Sequence, residues 1–145
     1  MKSLKKPVCI SLNDAQVQRL DARAAQTGMN RSQQIQRDLT AYWAMLDDGL
    51  TQAQSHFSRA DVECLAQIFR GKVLVPSDDV LWTRGKFAQY VLKAKKYGDA
   101  ERVERIAKIL RYRADRFEMF ALLDWLRRAS IAPDSPDLYD GWSLD

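Results

Sequence analysis

The sequence predicts a mainly α protein: one short strand and two helices in the first third, followed by an all-α helical domain. Three observations carry this. The 145 residues include only six Gly and four Pro, so few turns are available. Apolar residues recur at spacings of three and four over most of the length. Residues 7–12 alone alternate with period two.

That first segment reads Pro-Val-Cys-Ile-Ser-Leu. Val8, Ile10 and Leu12 would share one face, and Pro7, Cys9 and Ser11 the other, with Lys5 extending the outer face. Pro7 is tolerated at the first position of a strand. A lone strand leaves its backbone groups unpaired, so the expected partner is the same strand from a second chain.

A helix should begin at Asn13, since Asn caps well and Gln16 three residues on completes a capping box. Val17, Leu20 and Ala24 form its apolar stripe, and Gly28 ends it. A second helix should begin at Asn30, with Gln33 completing the same pattern. Its stripe is Ile35, Leu39, Tyr42 and Leu46, and Asp47, Asp48 and Gly49 should close it. Residues 50–57 continue as helix or linker.

Strand, helix, Gly turn and helix, carried by Val8–Leu12, Asn13-Asp14 and Thr27-Gly28-Met29-Asn30-Arg31-Ser32, resemble the ribbon-helix-helix family of DNA-binding proteins. The resemblance covers about a third of the chain. It implies that two strands pair across a two-fold axis and enter the major groove of double-stranded DNA. By that resemblance Lys5, Cys9 and Ser11 face the bases. Lys6 in the amino-terminal arm contacts phosphate, and Asn30, Arg31 and Ser32 hold phosphate at the amino end of the second helix. Val8, Ile10, Leu12, Val17, Leu20, Ile35 and Leu39 form the core of a homodimer. One departure weakens base readout: Pro7, Cys9 and Ser11 cannot make the two-pronged contacts that best discriminate a base. Readout then leans on Lys5, Ser11 and the Lys2–Lys6 arm, and affinity on phosphate contacts.

The domain expectation is residues 1–49 for DNA binding and dimerisation, 50–130 for a helical domain, and 131–145 for an acidic tail. In the middle, Ser58-Arg59-Ala60-Asp61 looks like a third capping box, followed by Val62, Leu65, Ile68 and Phe69 at helical spacing, with Gly71 ending that helix. Lys72–Pro76 should be extended, and Ser77-Asp78-Asp79 should start a helix that contains Gly85 as a weak point. Gly98-Asp99 is a stop and a start, and a long helical stretch runs to about Ala129. It should break near Arg113–Asp115, where Asp115 and Glu118 form a fourth box. Residues 131–145 carry four Asp and no base, and Tyr139 and Trp142 suggest that this tail docks on the chain or on a partner.

Charge adds a partner class. Residues 1–37 hold seven basic side chains against two acidic ones, a net +5, whereas the whole chain carries +4. A basic amino-terminal third points to a polyanion. Residues 84–116 hold eleven bases and four acids, a net +7, which reads as a solvated face, a second phosphate surface or a contact for an acidic protein.

Chemistry is sparse. Cys9, Cys64 and His56 cannot supply the four ligands of a zinc site, so no metal and no cofactor are expected. A thiol–imidazole pair stays open, although no nucleophile motif surrounds it. The thiols otherwise read as small, reduced, partly buried residues. No phosphate-cradling Gly loop and no triad pattern occur, so no enzyme is expected. No apolar run reaches the roughly 18 residues of a membrane span, and the basic start leads into no signal sequence. The expectation is a cytoplasmic, nucleoid-associated homodimer, of higher order on DNA, with a protein partner for the helical domain. It would serve as a transcriptional repressor. The alternatives are an antitoxin that regulates its own operon and a plasmid partition or relaxosome accessory protein.

Overall fold

The computed structural model describes residues 8–70, 83–94 and 99–144. Six helices form among these residues: α1 (Asp14–Thr27), α2 (Arg31–His56), α3 (Arg59–Ile68), α4 (Arg84–Lys93), α5 (Ala100–Tyr112) and α6 (Arg116–Ile131). The chain divides into two compact units, Met1–Tyr42 and Trp43–Asp145, and α2 runs across the division.

The mainly α expectation holds, and the amino-terminal strand does not. Residues 8–13 are neither helix nor strand, and no sheet forms among the described residues. The physical reason is local. A strand is defined by its ladder to a neighbour, and everything after Leu12 in this unit is committed to helices. Lys5, Lys6 and Pro7 lie outside the described residues. So do the extended segment 72–76, the helix start at 77–79, Gly71, Gly98, and the basic residues Lys95 and Lys96.

Helix starts follow side-chain chemistry. Asn13 accepts from Gln16 N at 2.8 Å, and its own N–H donates to Gln16 Oε1 at 3.0 Å. Asn30 and Gln33 repeat the exchange at 2.8 and 3.0 Å. Ser58 and Asp61 do so before α3. Thr83, Asp99 and Asp115 cap α4, α5 and α6. Each such cap is worth about 1 kcal/mol. Gly28 ends α1 with φ +70°, a left-handed conformation that glycine adopts without strain.

The expected stop at Gly49 is not one. α2 continues to His56, and at Gly49 it lies close against α6: a Cβ there would fall on the Phe117 carbonyl and lie 3.1 Å from Ala121 Cβ. The glycine serves close backbone packing, not termination.

The core of the second unit gathers the apolar stripes of α3 to α6. Phe57, Val62, Leu65, Phe87, Val91, Ile106, Leu122, Leu123 and Trp125 are almost wholly removed from water. Phe69 stacks on Tyr90 at 4.8 Å and meets Phe87 at 5.4 Å, which ties the end of α3 to α4. The segment after α6 folds back onto this core. Leu138 and Trp142 are buried, Trp125 donates its indole N–H to the Leu138 carbonyl at 2.8 Å, and Trp142 meets Trp125 at 5.7 Å. Arg59 stacks over Tyr139 at 4.4 Å.

Candidate nucleic-acid interface

In the first unit, α1 and α2 are joined by a three-residue turn, and a polar network fastens them. Thr27 donates its hydroxyl to Gln34 Oε1 at 2.7 Å. Gln34, fully buried, donates to Asp38 Oδ1 at 2.9 Å. Arg23 reaches the same carboxylate at 2.7 and 3.3 Å. The Arg23 guanidinium holds the Asp38 carboxyl below the ordinary carboxylate range.

The amino end of α2 brings Asn30, Arg31 and Ser32 together on an exposed edge. Asn30 is engaged as the cap. Ser32 accepts from the Gln36 amide at 3.5 Å, the outer limit of a hydrogen bond. Arg31 is held by Asp21 of α1, with Nε 2.9 Å from Oδ1 and a terminal nitrogen 2.8 Å from Oδ2. Both partners are about half exposed. The hydrogen bond from Arg31 keeps Asp21 below the usual carboxylate range and pushes the guanidinium higher still. Arg31 is thus paired with a carboxylate at the amino end of α2, an end where an anion is favoured.

Cys9 and Ser11 are exposed, as are the apolar residues that alternate with them: Val8 is 77% exposed, Ile10 57% and Leu12 38%. Of the residues assigned to a shared core, only Leu20 is buried within the chain. Val17 and Ile35 are half-buried, and Leu39 is 44% exposed. Ile10, Leu12, Leu20, Ile35 and Leu39 line one open concavity of about 450 Å³, rimmed by Gln16, Arg19, Arg23 and Asp38.

The second unit holds buried ionic groups that sequence reasoning missed. His56 Nδ1 lies 2.6 and 3.0 Å from the two carboxylate oxygens of Glu118, which is fully buried. Burial raises the Glu118 pKa, and the charge and hydrogen bond of His56 pull the other way without cancelling it. Asp61, almost fully buried, accepts from Arg102 at 2.7 Å and from Arg105. Burial opposes its charge, but the Arg105 hydrogen bond, the Ser58 N–H and Arg102 outweigh it and leave its pKa lowered. Neither pair lies within one helix, so no local spacing announces it. His56 is therefore engaged by a carboxylate. Cys64 is half-buried, and desolvation raises its pKa, the opposite of an activated thiol. Among the described residues no group of three or more His, Cys, Asp or Glu could hold a metal ion. No helix among them is long and apolar enough to cross a membrane.

No family model, no curated protein and no solved structure matches this chain.

Proposed function

We propose that the chain is a homodimeric DNA-binding protein that acts as a transcriptional repressor. The observation that carries the reading is the first unit's surface. An exposed apolar concavity formed by Ile10, Leu12, Leu20, Ile35 and Leu39 lies in the same 42-residue unit as the exposed helix amino end at Asn30, Arg31 and Ser32. A unit this small buries little apolar area by itself, and a second copy supplies the missing cover. Two copies related by a two-fold axis then present two α2 amino ends to one duplex.

The proposal uses residues 8–12 as apolar side chains and not as a strand. Cys9 and Ser11 offer one weak and one single donor, so phosphate contacts dominate and affinity falls steeply with salt. The net +5 of residues 1–37 supports the same partner. The packed core of the second unit favours a repressor over an antitoxin, whose neutralising segment is expected to be disordered.

The test is selection of genomic fragments by the purified protein at about 150 mM salt, near physiological ionic strength. Enrichment of an inverted repeat supports the repressor. Uniform, salt-sensitive binding instead indicates a DNA-organising protein. Absence of duplex binding overturns the reading.

A further inference from the structure

The turn from α5 to α6 concentrates cations. Residues 105–117 hold five bases and one acid, Asp115. Arg105 is engaged by Asp61, and the Asp115 carboxylate caps α6 by accepting from Glu118 N at 2.8 Å. Lys108, Arg111, Arg113 and Arg116 are exposed, and none forms an ion pair with a described residue. Lys108 and Arg111 suit the carboxyl end of α5, where the helix dipole favours cations. Arg116 does not share that excuse. It is the first residue of α6, the end that disfavours positive charge, and its contact with Phe120 at 5.3 Å is its one described compensation.

Aromatic rings sit among these cations. Tyr112, between Arg111 and Arg113, is 72% exposed, and Phe117, beside Arg116, is 46% exposed. Tyr112, Arg113 and Lys108 also line an open cavity of about 660 Å³, which they share with His56 and the carboxylates of Glu101 and Glu104. Rings left in water gain the fold little, but they are what unpaired bases stack on. A duplex keeps its base faces in its own stack and has no use for them.

We propose that this turn binds single-stranded nucleic acid, with bases stacked on Tyr112 and Phe117 and phosphates held by Lys108, Arg111, Arg113 and Arg116. The proposal does not rest on the DNA reading of the first unit.

The experiment is fluorescence anisotropy of the full-length chain with a labelled oligo(dT), an oligo(U) of equal length and a duplex of equal length. Tyr112→Ala should weaken binding of at least one single strand by about tenfold or more and leave duplex binding unchanged, and Tyr112→Phe should restore it. Phe117→Ala should act in the same direction. The oligo(dT) and oligo(U) arms separate DNA from RNA. Failure of the wild type to bind either single strand overturns the proposal. So does wild-type affinity in both ring variants. If a Lys108→Ala/Arg113→Ala double variant loses duplex and single strand equally while the ring variants are silent, the turn is a duplex-phosphate surface and the proposal is wrong. Arg31→Ala, far from this turn in the chain, reports on the first unit alone, so the two readings fail separately.

Discussion

Arg31 and Asp21 meet edge to edge, two nitrogens on two oxygens at 2.9 and 2.8 Å, across the turn that joins α1 to α2. The arginine assigned to phosphate is thus already held by a carboxylate that competes with phosphate for the same fork. The competition has a measurable sign. Asp21→Asn removes the competing charge and should tighten duplex binding while steepening its salt dependence. Arg31→Ala should weaken binding to all duplexes alike and lower the salt slope by about 1. Titrations at several salt concentrations check both. A loss confined to one sequence would instead make Arg31 a base-reading residue.

The apolar concavity of the first unit makes a second prediction. Leu39 is 44% exposed in the single chain, so Leu39→Lys should leave helical content intact. On the proposed dimer interface it buries a charge without a partner, which self-association does not tolerate. Sedimentation should show a folded monomer for Leu39→Lys and for Ile10→Lys. A dimer in both variants would place the interface elsewhere.

Gly49 gives a prediction in which two effects oppose. In an exposed helix, Gly→Ala gains roughly 1 kcal/mol. Here the new methyl would fall on the Phe117 carbonyl, and overpacking of that kind costs about 1–3 kcal/mol. The backbone cannot swing aside as a side chain can, so the clash should win. Thermal unfolding of Gly49→Ala should show a lowered Tm; an increase would mean that α2 and α6 can separate at no cost.

Two buried carboxylates should bend the stability–pH curve in opposite senses. The folded-state pKa of Asp61 is lowered, so its contribution is present above the unfolded value of about 3.9 and is lost as pH falls through the folded value. That of Glu118 is raised, so its contribution is fully present below about 4.3 and is lost as pH rises through the folded value. Melting curves across this range should show Asp61→Asn flattening the acid-side decline and Glu118→Gln flattening the loss at higher pH. Identical pH profiles for wild type and Glu118→Gln would contradict the raised pKa.

What the sequence made legible was whatever depends on neighbours a few residues away. Asn13 with Gln16, Asn30 with Gln33 and Ser58 with Asp61 are each three apart, and the capping exchange needs only that spacing. Asp115 caps α6 without the return bond that the fourth box predicts, because the Glu118 carboxylate is engaged by His56. Gly28 was readable as a stop for the same reason. Gly49 was misread because its role is set by Phe117, distant in the chain. The strand at 7–12 was expected from alternation alone, but a ladder needs a second backbone, which no described residue of this chain supplies. The candidate site shows the same division. Asn30, Arg31 and Ser32 were placeable at a helix start, whereas the engagement of Arg31 by Asp21, the buried Gln34 and the His56–Glu118 pair depend on how helices come together.

The return of Leu138 and Trp142 to the core bears on how the chain is made. Both residues are translated after every helix they cover, and the indole of Trp125 waits for the Leu138 carbonyl. Residues 8–42 leave the ribosome with their described internal partners already synthesised, and α1 is complete by then. The second unit cannot close until translation has passed Trp142 and that stretch has cleared the exit tunnel. At typical synthesis rates of about 5–20 residues per second, the nascent chain therefore spends on the order of seconds with Trp125 uncovered by the segment that later seals it.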